Sequence, residues 1–178
     1  MKKKSLALSR VYRLLEPGPV VLMTTAHKGR ANVMTMSWHT MMEFEPPLIG
    51  CVISNRNYSF GLLKAGKECA INIPTVELAA QVVGCGNSSG RKLDKFSRYN
   101  LTPIPAARIK APLIDECYAA LECRLADTRL AAKYCFFILE VLKAWVDPWC
   151  QHPRTLHHRG RGVFMLAGET IELPSKMK

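Results

Sequence analysis

The feature that constrains this chain most is a succession of short apolar, partly β-branched runs, each bounded by turn-forming residues. They are VVLMTT at 20–25, ANVMTMSW at 31–38, PLIGCVIS at 47–54 and CAINI at 69–73. Runs of this length and composition read as strands, and Lys28-Gly29 in the first gap reads as a hairpin turn. Further on, residues 118–126 alternate, with Ala119, Leu121, Cys123 and Leu125 on one face and Glu122 and Arg124 on the other. YCFFILEVLKAWV at 134–146 reads as a long strand, and VFMLA at 163–167 and ETIEL at 169–173 flank Gly168 as a closing pair.

Helical signals are few. Residues 5–15 place Leu8, Val11, Tyr12 and Leu15 on one helical face, ended by Pro17-Gly18-Pro19. Ser59 is expected to cap a helix starting near Phe60, and Thr75 to cap VELAAQVV at 76–83. Residues 84–107 read as a loop with a short basic helical turn at 91–99. A doubly wound parallel sheet needs more crossover helices than this. The expected fold is mainly β: an antiparallel sheet or barrel with short helical insertions, one domain over residues 1–178.

Composition narrows the partners. At 178 residues the chain buries a sufficient core without disulfides or a structural metal. No apolar run approaches the ~18–20 residues of a membrane span. The opening MKKKSLALSRVY is interrupted by Arg10 and shows no cleavage site, so a cytoplasmic protein is expected, its KKK a solvated terminus. The seven cysteines lie mostly in apolar runs and form no CxxC pair, which fits buried free thiols in a reducing compartment. The net charge of +11 is carried by both halves and suits an anionic partner: nucleic acid, a membrane surface or a phosphorylated small molecule. No basic segment is interleaved with aromatics, so a specific nucleic-acid role is not expected.

Several chemical motifs fail on spacing. GCGNSSGRK at 84–92 matches neither GxxxxGK[ST] nor GxGxxG, yet Ser88, Ser89, Arg91, Lys92 and Lys95 concentrate donors and positive charge suited to a phosphate. Cys150, His152, His157 and His158 follow no common zinc pattern, and an exposed polar loop is favoured. No G-x-S-x-G elbow occurs, and no catalytic side chain or metal site is assigned. The strongest constellation pairs ANVMTMSWHT at 31–40 with a second strand that runs into SNRNYSF at 54–60. The first offers amide and hydroxyl groups to the edge of a flat heterocycle. The second offers Ser54, Arg56, Ser59 and a helix start to a phosphate. On spacing alone a solvent-facing strand and an ordinary capped helix explain the same pattern, and are favoured.

The order of segments resembles the flavin reductase-like, FMN-binding split-barrel family, of flavoredoxin type, over residues ~15–172. The resemblance is carried by PVVLMTT, ANVMTMSW, EPPLIGCVIS, SNRNYS, GKECAINIP, SGRKLDKF, NLTPIP and ILEVLKAWVD in that order. It implies a homodimer of split β-barrels with FMN near the subunit interface. It further implies that Asn32, Met34, Thr35, Met36 and Trp38 line the isoalloxazine. Cys51, Ser54, Arg56, Asn57 and Ser59 would hold the ribityl chain and phosphate, and Lys95 would reach the flavin or its phosphate. The implied activity is NAD(P)H-dependent flavin reduction. The chain departs from the pattern at 132–134, where Ala132-Lys133-Tyr134 replace the Asp-His pair of many such reductases. That leaves room for a flavoredoxin-like carrier reduced by a redox partner protein. A barrel that has lost its flavin and binds another anionic ligand or nucleic acid is the third reading.

Overall fold

A computed structural model describes residues 3–15 and 18–175. In chain order the elements are β1 (Lys4–Leu6), α1 (Tyr12–Leu15), β2 (Val21–His27), β3 (Arg30–Met36), β4 (His39–Phe44), β5 (Pro47–Val52), α2 (Tyr58–Gly66) and β6 (Glu68–Ile73). There follow α3 (Ala79–Asn87), α4 (Lys95–Arg98), β7 (Pro103–Ile104), β8 (Leu113–Ile114), β9 (Ala119–Asp127), α5 (Ala131–Tyr134), β10 (Phe136–Val146), β11 (Leu156–Gly160) and β12 (Val163–Leu166).

Eight strands form one antiparallel sheet whose hydrogen-bonded path runs β3-β2-β6-β9-β10-β5-β4, with β1 against the far half of β10. The two ends of that path, β3 and β4, are consecutive in sequence and separated only by Ser37 and Trp38. A two-residue link forces the sheet to curl until its ends meet, without a ladder across the seam. The result is a barrel split between β3 and β4. The β2–β3 hairpin turns at Lys28 and Gly29, both with positive φ (50° and 74°), the backbone that a tight two-residue hairpin demands.

Alternation along β2 defines two cores. Val21 and Met23 join Ile49, Ile71, Leu121, Phe137 and Leu139 in the main core, closed at one end by α2 through Leu63 and Phe60. The Phe60 and Phe137 rings meet edge-to-face at 5.2 Å. Val20 and Leu22 face the opposite way and pack with Val33 and Val82 of α3. Removal of each such large apolar side chain from water contributes about 1.5–3 kcal/mol.

Four local expectations are corrected, and the Glu122 face gains a detail the alternation did not show. Residues 4–6 pair with Ala144–Val146 rather than starting a helix, and only Tyr12–Leu15 is α-helical; strand pairing overrides the helical periodicity there. Pro17 lies outside the described residues. Lys3 is not solvated: its Nζ donates to the carbonyls of Ile114 (2.9 Å) and Asp115 (2.6 Å). Helix α3 continues through Gly84 and Gly86 to Asn87, and Gly84 lies where a Cβ would collide with the Tyr99 ring. Glu122 shares the outer face with Arg124 but is fully buried. It accepts from the backbone N–H groups of Ala107 and Arg108 and from Trp145 Nε1. Finally, VFMLA pairs with β11 and not with ETIEL, which forms no strand.

Candidate functional site

Strand β3 ends the hydrogen-bonded path, so its ladder with β2 uses only alternate backbone groups and leaves the others on its open edge. Its side chains divide between two faces. Met34 and Met36 face the main core, whereas Thr35 turns to α3 and donates from Oγ1 to the Val82 carbonyl at 2.6 Å. Asn32, only 4% exposed, donates from Nδ2 to Ser59 Oγ at 2.8 Å. Ser59 is therefore not a helix cap. It is a buried residue of the first turn of α2, tied to β3.

The actual N-cap of α2 is Asn57, and its side chain makes no capping hydrogen bond. The first-turn N–H groups of a helix lack intrahelical acceptors, and they carry the positive end of the helix dipole. Around this uncapped end, Ser54, Asn55, Arg56 and Asn57 are all exposed. Ser54 Oγ accepts from the Arg56 N–H at 3.3 Å, and the Ser54 carbonyl accepts from the Asn57 N–H at 2.9 Å, which shapes the turn.

A second segment reaches the same place. The turn after α3 brings Gly90 against the Asn32 amide and the Tyr58 ring, where a Cβ would collide with Asn32. The next residue, Arg91, stands over the ring of Tyr58, the first residue of α2, at 5.5 Å. Two polar runs that are 30 or more residues apart in sequence, SNRN and SSGRK, thus converge. Serine hydroxyls, two guanidinium groups and a free helix N-terminus on one surface suit a phosphate monoester.

Lys95 is held against α3. Asp94 caps α4 by accepting from the Phe96 N–H at 2.9 Å, and Lys95 turns inward to donate from Nζ to the Cys85 carbonyl at 2.6 Å. It is 4% exposed, and burial lowers its pKa. Burial also pushes the Cys85 thiol up to about 11, against the pull of Lys95. Cys51 sits inside the barrel, 1% exposed, with its thiol pKa raised by burial. Trp38, in contrast, is 71% exposed at the seam, where its carbonyl accepts from the Val52 N–H at 3.0 Å.

Beside the seam lies a cavity of about 260 Å³ lined by Thr35 and Ser37, by Val82, Val83, Gly86 and Asn87 of α3, and by His158, Gly162 and Phe164 of the β11–β12 hairpin. Sequence reasoning missed this last wall, because the hairpin joins the site only through tertiary packing. It also missed Gly90 and Tyr58, although the glycine in SSGRK was a visible sign of close backbone approach. Among the described residues no group of three His, Cys, Asp or Glu side chains is placed to hold a metal ion. None of their helices is long and apolar enough to cross a membrane.

Comparison with known proteins gives these features a context. Residues 12–165 match the family model described as flavin reductase like domain. An Archaeoglobus fulgidus protein is 34% identical over 113 residues, a match spanning 64% of this chain and 64% of that protein. Escherichia coli K12 YddH is 32% identical over 92% of this chain and 94% of its own. Both are described as uncharacterized. Among solved structures, an FMN-binding domain of a flavin reductases-like enzyme from Shewanella baltica OS155 superposes with a TM-score of 0.91. It is 26% identical, over 97% of this chain and 98% of the other.

Proposed function

The chain belongs to the flavin reductase-like domain family, and on that premise we propose that it is an FMN-binding oxidoreductase that takes electrons from NADH or NADPH. One observation carries the choice of a flavin mononucleotide. The N-terminus of α2 is uncapped by Asn57, and both Arg56 and the Tyr58-stacked Arg91 stand at it. The Shewanella baltica relative is an FMN-binding domain, which supports the same choice.

In this reading Ser54, Arg56, Asn57 and Arg91 bind the phosphate. Asn32 and Ser59 act on it indirectly, since they bond to each other and fix β3 relative to α2. The open edge of β3 offers backbone donors and acceptors to the ring edge, with Thr35, Met34, Met36 and Trp38 around it. Lys95 holds positive charge close to the end of α3. When bound, FMN supplies the two-electron redox chemistry. The protein's part is to bind it, orient it and favour its anionic reduced form through donors near the ring edge. No side chain is assigned as catalytic acid or base. A second copy of the chain completes the pocket: the cavity beside β3 is smaller than the roughly 300–1,000 Å³ that encloses a small-molecule ligand, and Trp38 projects from the seam.

One observation favours a second reading, an FMN electron carrier reduced by a redox protein. Helix α5 enters β10 with Ala132, Lys133 and Tyr134, and it supplies no acid–histidine pair. Anaerobic stopped-flow mixing separates the two. Bleaching of the bound flavin by NADH or NADPH within seconds supports the reductase; flavin that stays oxidised for minutes, yet is reduced by a ferredoxin-type donor, supports the carrier.

A further inference from the structure

The cavity beside β3 is bordered by two cationic segments, and one FMN phosphate needs only one of them. The first is the Ser88–Lys92 run, which follows the cavity residue Asn87. The second is the tip of the β11–β12 hairpin, where Arg159 and Arg161 alternate with Gly160 and Gly162. The base of this hairpin is fixed. Leu156 is 2% exposed and accepts from the Val20 N–H at 2.7 Å, and Thr155 bridges to Thr75. The tip projects: Arg159 and Arg161 are exposed, and Gly160 (φ 99°), Arg161 (φ 48°) and Gly162 (φ 76°) set a tight left-handed turn. No Asp or Glu occurs between Asp147 and Glu169, a span that holds three arginines and three histidines. Among the described residues, neither Arg159 nor Arg161 makes an ion pair. At the base of the tip, His158 and Phe164 both line the cavity, and their rings lie 5.3 Å apart.

We propose that the hairpin tip is a second anion subsite, in which Arg159 and Arg161 select an electron donor carrying an additional phosphate on its adenosine ribose. This rests on the flavin reading of the neighbouring site. Two arginines that make no ion pair among the described residues, each next in sequence to a residue that lines the cavity (His158 and Gly162), match a phosphorylated nucleotide better than the flat face of a protein. A guanidinium also recognises a phosphate dianion through paired hydrogen bonds that a ribose hydroxyl cannot replace.

The test is calorimetric titration of the FMN-treated full-length protein with adenosine 2′,5′-bisphosphate and with adenosine 5′-monophosphate, at low and at high salt. The wild type is expected to bind the bisphosphate about tenfold or more tightly, with a preference that shrinks as salt screens the exposed charges. The double variant Arg159→Ala/Arg161→Ala should lose the preference while retaining FMN. Arg30→Ala, an exposed cation on the β2–β3 hairpin, should keep it. Equal affinities in the wild type, absence of binding, or a preference that survives the double variant overturns the proposal. So does loss of FMN in the double variant, which would make the tip the flavin-phosphate site. A wild type that keeps the bisphosphate preference but holds no FMN supports the subsite and sinks the flavin reading instead.

Discussion

Asn32 Nδ2 donates to Ser59 Oγ at 2.8 Å, and this buried bond locks the edge strand β3 to the first turn of α2. The two residues come from the two surfaces that the site must hold in register. Ser59→Ala leaves the Asn32 amide buried without its acceptor, a loss expected to cost about 1–3 kcal/mol. Urea denaturation measures the stability, and FMN retention after desalting should fall with it. An unchanged midpoint together with unchanged retention would contradict the role.

Gly90 has a more selective part. A Cβ at this position collides with the Asn32 amide, so Gly90→Ala must displace the turn that carries Arg91. Gly61 in α2 meets nothing within 4 Å, so Gly61→Ala serves as the control and is expected to be neutral or stabilising by about 0.4–1 kcal/mol. Fluorescence titration with FMN should show affinity reduced about tenfold or more in Gly90→Ala and preserved in Gly61→Ala, one lost charge-assisted contact being worth about that factor.

If Arg56 and Arg91 bind phosphate, their removal should matter for FMN and not for riboflavin, which lacks the phosphate. Both arginines project from exposed turns, so Arg56→Ala and Arg91→Ala should fold normally. Each is expected to reduce the preference for FMN over riboflavin by about tenfold. Equal losses for both flavins would move the phosphate elsewhere.

Burial lowers the pKa of His39 below its ordinary 6.5. Its Nε2 meets the Pro19 carbonyl at 2.7 Å and must donate there, so the neutral ring presents Nδ1 as a lone pair, buried and without a partner among the described residues. Below about pH 6.5 the unfolded chain binds a proton that the folded protein resists. Stability therefore falls as the pH drops, until the folded His39 also titrates. Thermal melts between pH 7.5 and 5 should show the decline, and His39→Gln should flatten it. A decline of the same slope in the variant would assign it to other groups.

Glu122 is a buried carboxylate satisfied by three N–H groups rather than by a cation. These bonds hold the segment before β8 onto the outer face of the sheet. Glu122→Ala leaves all three donors unpaired and is expected to destabilise the fold by about 3 kcal/mol or more. Chemical denaturation checks this, and a loss below about 1 kcal/mol would show that the segment is held by its apolar contacts.

Much of the architecture was legible because the strands of the interior are apolar on one or both faces. Strand β4 was not, since its Met42 and Phe44 are exposed at the sheet end and its alternation carries no burial signal. The helical course of GCGN was hidden by its glycines, which sequence reads as loop, although packing uses Gly84 for close approach to the Tyr99 ring. In the site, the convergence of SNRN with SSGRK had no sequence signature: it depends on a barrel that seats α2 and the α3 turn side by side. The same holds for Glu122, whose partners come from a loop that covers a face the alternation left open.

The central claim is that this chain holds FMN. The direct measurement is an absorption spectrum of the purified protein after incubation with FMN and passage through a desalting column. Retained bands near ~370 and ~450 nm, in proportion to the protein, are the expected result for a resident flavin. A colourless eluate at protein concentrations far above those of the free flavin would contradict the account.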